Sequence, residues 1–204
     1  MNKPTRYLIL AATVALLPFC TALPAAEAYN GAHVAAVTNG QDCPHAELSG
    51  ADLSGADLTG LDLTGANLQN ANLTGARLER TVLKEASLQN CRLKRAVFSE
   101  AQLTGANLQN VEAPYAYFGH ADLKTADLSG GNFFRADFRG ATLTDVTAYQ
   151  GNFQEATFDK ADLRRADLSF ANASYAWFFE ADLSDANCTS ANLYEINGSG
   201  LKAK

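Results

Sequence analysis

The acidic residues are the first candidates for chemistry, because two carboxylates held close together can act as a general acid and a general base. Asp162 and Asp182 lie 20 residues apart, and Asp127 and Asp167 lie 40 apart. Asp recurs at regular intervals along most of the chain, however, so pairs at these spacings arise by chance. We therefore predict that the protein is not an enzyme.

The three histidines, His33, His45 and His120, lie far apart and lack the spacing of metal ligands. We interpret them as incidental surface residues. The sequence also has no glycine-rich loop of the type that cradles phosphate, and no serine nucleophile motif. It therefore predicts no catalytic residue, no metal and no cofactor.

Aromatic and arginine residues in the middle and second half of the chain suggest binding. Tyr, Trp and Arg are enriched in the energetically dominant parts of protein interfaces. Six residues of these types are candidates for one interaction surface: Arg95, Tyr115, Tyr117, Arg135, Tyr175 and Trp177. Whether they meet depends on the elements that position them.

The positioning element is a five-residue repeat that runs from 46 to 195 without an insertion or deletion. Each repeat has a first position, usually Ala, and a second position, most often Asp or Asn. A central position, usually Leu or Phe, a fourth position and a corner position follow. Five fits neither the 3.6-residue period of an α-helix nor the two-residue period of a strand. We therefore expect the chain to turn at every repeat, with the first and central residues pointing inward.

Bulky residues show how many repeats make one complete turn, because they recur every 20 positions. At this spacing the central positions form one Phe series and one Leu series. The members are Phe98, Phe118, Phe138, Phe158 and Phe178, and Leu63, Leu83, Leu103, Leu123, Leu143, Leu163 and Leu183. Twenty residues correspond to four sides per turn. The Phe rings are then expected to stack in the core.

This pattern resembles that of the pentapeptide repeat family, which is written A(D/N)LXX. The resemblance covers residues 46–195. It implies an all-β fold: a right-handed quadrilateral parallel β-helix of about 7.5 coils, with neighbouring strands about 4.8 Å apart.

In such a fold the six aromatic and arginine residues occupy two adjacent columns. Tyr115 and Tyr175 share a column with the two arginines, and Tyr117 and Trp177 lie in the next column across a single corner. We name these six residues the aromatic edge and predict that it binds a partner. The alternative interpretation is that the aromatic side chains only cover a flat β-surface or pack under the C-terminal tail.

The first 28 residues are typical of a signal peptide. Lys3 and Arg6 precede the apolar run 7–19, and Ala26-Glu27-Ala28 fits a cleavage site that leaves Tyr29 as the first mature residue. The apolar run is shorter than the roughly 20 residues that span a bilayer, so the mature chain is expected to have no transmembrane segment.

The repeats are flanked by two short segments. We predict that residues 29–45 form an N-terminal cap with a short helix or strand, and that 196–204 form a short tail. Of the cysteines outside the signal peptide, Cys43 falls in register with the repeats. Cys91 and Cys188 occupy inward positions, and we interpret both as small buried hydrophobic residues.

The charge distribution limits the choice of partners. The formal net charge is −6 and becomes −7 when the signal peptide, with two basic residues and one acidic residue, is removed. A sequence pI near 5.0 argues against general nucleic-acid binding. A basic cluster at 77–95 interrupts the acidic character.

Two functions follow from these observations. The first is an exported, non-enzymatic scaffold in the periplasm, the thylakoid lumen or the extracellular space, whose partner is a protein or, alternatively, a glycan. The second is implied by the family's best-understood branch, whose cytosolic members mimic DNA and bind DNA gyrase. The acidic charge fits the second function, whereas the signal peptide, the basic cluster and the short tail oppose it.

Overall fold

The computed structural model describes residues 30–203. These residues contain one helix, α1 (Gly31–Thr38), followed by coils in which each side contributes a single parallel β-bridge. Every bridge joins residues 20 positions apart, from Glu47 with Asn67 to Asp182 with Lys202. The predicted right-handed quadrilateral β-helix is confirmed, and its strands are as short as one bridged residue.

Backbone hydrogen bonds explain why a five-residue unit can form one side of a coil. Leu48 N–H donates to the Asn67 carbonyl at 2.7 Å, and Asn67 N–H donates to the Ala46 carbonyl at 2.8 Å. Ala51 N–H then donates to the Leu48 carbonyl at 3.0 Å, which closes a tight turn around the corner. The first and central residues are left pointing inward, and the others point outward.

The corner position requires a left-handed backbone, and every fifth residue from His45 to Gly200 has a positive φ. Glycine adopts this conformation without steric cost, which accounts for the many corner glycines of the first repeats. Later corners carry larger residues, including Arg135 at φ 54° and Tyr175 at φ 61°. A left-handed non-glycine residue costs about 1–2 kcal/mol, so packing and the hydrogen bonds between coils must hold these corners in place.

The core consists of the predicted columns. Phe98 and Phe118 stack with ring centroids 4.8 Å apart, and Phe118 and Phe138 stack at 4.9 Å. Phe158 and Phe178 continue the column at the same spacing, which matches the distance between hydrogen-bonded strands. The seven leucines of the Leu series are also buried.

Glycine replaces the usual alanine at the first position of two repeats, and the phenylalanine of the same repeat explains each replacement. A Cβ atom built on Gly131 would lie 2.5 Å from Cε2 of Phe133, and one on Gly151 would lie 2.5 Å from Cε2 of Phe153. Each phenylalanine occupies the central position of the same repeat, and the two rings stack at 5.1 Å. In this column, therefore, the ring takes the space that an alanine methyl group fills elsewhere.

Helix α1 covers the first coil. The Asn30 side chain caps the helix by accepting from Ala32 N–H at 2.9 Å, and Asn30 N–H donates to the Glu47 carbonyl at 2.9 Å. His33 is buried, and its Nδ1 accepts from Glu47 N–H at 2.9 Å. The expectation that His33 is a surface residue is wrong, because its ring satisfies a backbone donor of the first coil that has no preceding coil to bind.

The coil also continues beyond the repeats counted in the sequence. Asn197 bridges to Trp177 and Lys202 bridges to Asp182, so residues 196–202 add sides to the solenoid instead of forming a separate tail. Leu201 lies within 3.2 Å of the place where a Gly198 Cβ would stand, and so helps to fill the space left by a central glycine.

The predicted signal peptide, residues 1–28, lies outside the described residues. Among the residues that the structure describes, no helix has the length and apolar character needed to cross a membrane.

Candidate interaction edge

The structure places the six residues of the aromatic edge on two adjacent columns, as the 20-residue period predicts. Arg95, Tyr115, Arg135 and Tyr175 all occupy left-handed corners, with φ between 54° and 61°. Tyr117 bridges to Val97 and Asp137, and Trp177 bridges to Thr157 and Asn197, on the side that follows this corner.

The middle of the edge is held by contacts within the protein. The Tyr115 ring packs edge-on against Phe134, with centroids 5.7 Å apart. The Arg135 guanidinium lies over the same Phe134 ring at 5.1 Å, and its Nη2 is 2.6 Å from Oε2 of Glu155. The hydrogen bond that Arg135 donates to the Glu155 carboxylate raises the pKa of Arg135 above its ordinary value. Tyr115 and Phe134 are partly covered, as the surface-covering interpretation expects.

The later part of the edge is more open. Trp177 is 51% exposed and Tyr175 is 43% exposed. Together they line a shallow groove of about 540 Å³ with Glu155, Glu195 and Asn197. The Tyr175 ring packs edge-on against Tyr194, with centroids 5.6 Å apart.

Sequence reasoning missed Phe134, Glu155, Glu195 and Asn197 as components of the edge. Their column positions would have identified them: the two glutamates share the corner column of Tyr175, and Asn197 lies one coil after Trp177. Glu155, Glu195 and Asn197 were overlooked because acidic and amide side chains are common at outward positions of the repeats.

Other outward aromatic residues lie away from the aromatic edge. Tyr149 and Phe170 pack edge-on against each other at 5.7 Å on a different corner, and both are exposed. Phe179 is 40% exposed and lies near the corner that follows Phe178. The structure therefore gathers some, but not all, of the aromatic residues in one place.

The carboxylate pairs considered for catalysis have local partners. Arg164 binds Asp162, with Nη2 and Oδ2 2.6 Å apart, and Ser184 Oγ donates to Asp182 at 2.6 Å. These hydrogen bonds lower the pKa of both carboxyl groups. Both groups are therefore ionised near neutral pH, whereas an acid–base pair needs two groups with separated pKa values.

The cysteines with free thiols are in apolar surroundings. Cys91 is buried, and its Sγ donates to the Leu68 carbonyl at 2.9 Å. Burial raises the pKa of Cys91 to about 12 and also raises that of the half-buried Cys188. Within residues 30–203, no group of His, Cys, Asp and Glu side chains has an arrangement that could hold a metal ion.

Comparison with known families agrees with this architecture. Eight copies of the family model for pentapeptide repeats match residues 46–84, 82–113, 115–145 and 152–185, which is more than half of the chain. The chain belongs to the pentapeptide repeat family. No match was found among curated proteins.

Solved structures of pentapeptide repeat proteins give a similar result. A trypsin-treated variant of QnrB1, a plasmid-mediated fluoroquinolone resistance protein, is 22% identical with a TM-score of 0.52, over 81% of this chain and 83% of that chain. At this identity the likeness shows the fold alone.

Two further structures resemble the chain at lower TM-scores. HetL, which is involved in heterocyst differentiation regulation in the cyanobacterium Nostoc sp. strain PCC 7120, is 24% identical with a TM-score of 0.39, covering 79% of this chain and 82% of its own. A pentapeptide repeat protein from the thylakoid lumen of Arabidopsis thaliana is 28% identical with a TM-score of 0.29, covering 66% and 70%.

Proposed function

We propose that the protein is an exported, non-enzymatic scaffold whose aromatic edge binds a protein partner. The observation that carries this proposal is the exposure of Tyr117, Tyr175 and Trp177 on two adjacent columns of one solenoid. Aromatic side chains contribute large contact areas, and a rigid support reduces the entropy that is lost on binding. Consecutive coils joined by backbone hydrogen bonds provide such a support.

The absence of a catalytic role is part of this proposal. The acidic pairs are held by neighbouring side chains, and both members of the Asp162–Asp182 pair have lowered pKa values. The Cys91 thiol is buried with a raised pKa, so it is a poor nucleophile.

Export to the periplasm, the thylakoid lumen or the extracellular space is proposed from the residues that precede the repeats. The positive start, the short apolar run and the cleavage pattern of residues 1–28 support it. Intact-mass measurement on the protein from fractionated cells tests this. A chain that begins near Tyr29 outside the cytoplasm supports export, and a full-length chain in the cytoplasm contradicts it.

The alternative is a DNA mimic that modulates DNA gyrase, and the net charge of −6 favours it. This function requires a cytoplasmic protein and a continuous acidic surface. The basic cluster at 77–95 interrupts that surface. Inhibition of purified gyrase by the full chain would support the alternative over the scaffold.

The partner-binding role is tested by replacing Tyr115, Tyr117, Tyr175 and Trp177 together with Ser. Affinity capture from the compartment that holds the mature protein should recover a partner with the native chain and lose it with this variant. The matched control replaces Tyr149, Phe170 and Phe179 with Ser, because these exposed aromatic residues lie on other parts of the surface. Equal capture by the edge variant and the native chain would contradict the proposal, provided that both melt cooperatively.

A further inference from the structure

We propose that the groove at the C-terminal part of the aromatic edge binds an arginine or lysine side chain from a basic segment of the partner polypeptide. The groove is formed by Glu155, Tyr175, Trp177, Glu195 and Asn197. This inference rests on the proposed function and specifies the chemistry of the partner.

The order of the side chains in the groove suits a long cationic side chain. The corner column reads Glu155, Tyr175, Glu195, one residue per coil, so an aromatic ring lies between two carboxylates. Trp177 lies across the corner from Tyr175 and is half exposed. An indole or phenol face attracts a guanidinium or ammonium group, and a carboxylate beside it adds an ion pair.

The same edge already holds one guanidinium group in this way. Arg135 lies over the Phe134 ring at 5.1 Å and pairs with Glu155 at 2.6 Å. Two coils later the corner residue is Tyr175 instead of arginine, and Ser174 stands where Phe134 stood. The carboxylate of the next coil is still present, as Glu195, and the aromatic rings of the groove are Tyr175 and Trp177. A partner's arginine would therefore find an aromatic ring and a carboxylate of the same types that bind Arg135.

The charge of the groove distinguishes a cation from other ligands. Two of the five residues that line it are acidic and none is basic. Glu155 is already paired with Arg135, so the charge that repels an acidic segment comes mainly from Glu195. A neutral glycan would stack on the aromatic rings without balancing the Glu195 carboxylate. The net charge of −6 further attracts a basic segment over longer distances.

The experiment uses the fluorescence of Trp177, which is the single Trp of the chain and lines the groove. The purified full chain is titrated with a short synthetic peptide of alternating Arg and Ser. Parallel titrations use the same peptide with Gln or Glu in place of Arg, and a neutral cello-oligosaccharide. We expect a saturable change of Trp177 emission with the Arg peptide only, and an affinity that falls as salt is added.

Two variants test the role of the carboxylates. Glu195→Gln should weaken binding of the Arg peptide by about tenfold. Glu85→Gln is the matched control, because Glu85 also occupies an exposed left-handed corner but lies in a column half a coil away. It should leave the affinity unchanged.

Three results would overturn the inference. They are equal binding of the Gln peptide, binding of the oligosaccharide without the Arg peptide, and an equal loss of affinity in both variants. If the Arg peptide fails to bind while the serine variant of the edge still loses its partner, the proposed function stands and this inference alone fails.

Discussion

At the scale of single residues, Gly131 and Gly151 show how one side chain determines its neighbour. Most repeats carry Ala at the first position, and its methyl group fills space beside the central side chain. Where that central residue is Phe133 or Phe153, the ring already occupies this space. In these two repeats the residue at the first position therefore depends on the ring two positions later, whereas the five repeats of the Phe series keep alanine there.

Restoring the family's alanine at Gly131 should consequently destabilise the protein. In Gly131→Ala the new Cβ would approach Phe133 Cε2 to 2.5 Å and the Leu128 carbonyl to 3.1 Å. We expect a loss of about 1–3 kcal/mol in the free energy of unfolding, measured in urea, because overpacking forces the ring to move.

The matched control is Gly119→Ala, where the nearest atom to the new Cβ is the Arg139 carbonyl oxygen at 3.7 Å. This change should be neutral or stabilise the protein by about 0.4–1 kcal/mol, since alanine restricts the unfolded chain. Adding Phe133→Leu should reduce the penalty of Gly131→Ala. Equal effects of the two glycine substitutions would show that the ring does not determine the choice of residue.

At the scale of the element, the structural unit is one coil of 20 residues, not one repeat of five. A repeat pairs with the repeat four positions along the chain, as Ala101–Gly105 pairs with 121–125 through the bridge between Gln102 and Asp122. Removing one coil keeps every column aligned, whereas removing one repeat shifts all later columns by one side.

Two deletions test this unit. Deletion of 121–125 would place the later Phe column over a different column of the earlier coils, whereas deletion of 121–140 would bring Phe118 next to Phe158 in the same column. We expect the shorter deletion to cost at least about 3 kcal/mol more in the free energy of unfolding, because cavities and clashes follow a column mismatch. Thermal melting of both variants measures this, and equal melting temperatures would contradict the four-sided unit.

The elements that were predicted correctly from the sequence are those whose residue types recur at a fixed spacing. The Phe and Leu columns follow from spacing alone, since a 20-residue recurrence has one simple geometric explanation. Helix α1 was left open between helix and strand, because eight residues with few polar positions show no clear period. The burial of His33 could not be predicted. It results from the backbone N–H of Glu47, which has no preceding coil to bind and donates to His33 instead, and no sequence pattern marks this donor.

At the scale of the whole molecule, hydrogen bonds to many aspartates link stability to pH. Thr64 donates through Oγ1 at 2.6 Å and through N–H at 2.9 Å to Asp62, and Ser184 makes the same two contacts with Asp182. These bonds lower the pKa of both carboxyl groups. The stabilisation that these hydrogen bonds provide is therefore present above about pH 3.9, the pKa of an aspartate in the unfolded chain. It is lost as the pH falls through the lower pKa values that the two carboxyl groups have in the folded protein.

We expect the melting temperature to fall as pH is lowered from about 5 to about 3, where the carboxyl groups gain protons. Asn offers the same acceptor oxygen without titrating, and it is the other common residue at this position. The variant with Asp62→Asn and Asp182→Asn should therefore lose less stability over the same pH range. An identical acid response of the variant and the native chain would exclude these two carboxylates as a cause.

The candidate site was only partly predictable at this scale. The 20-residue period placed Tyr175 and Trp177 across one corner, but it did not show which outward residues are covered. Tyr115 is partly covered by Phe134, whereas Trp177 remains half exposed, and this difference depends on neighbours in adjacent coils. The choice of Glu155 and Glu195 as groove residues also depends on local geometry, because acidic residues occur on every side.

The stacking of coils also has a mechanical consequence. The hydrogen bonds between coils run along the axis of the rod, and each side is joined to the next coil by only a few of them. When the two ends are pulled apart along the axis, the load falls on the few bonds of the outermost side and not on the whole ladder together. The rod should therefore unwind from an end, one side after another, at low force, while it resists compression along the same axis through its packed core.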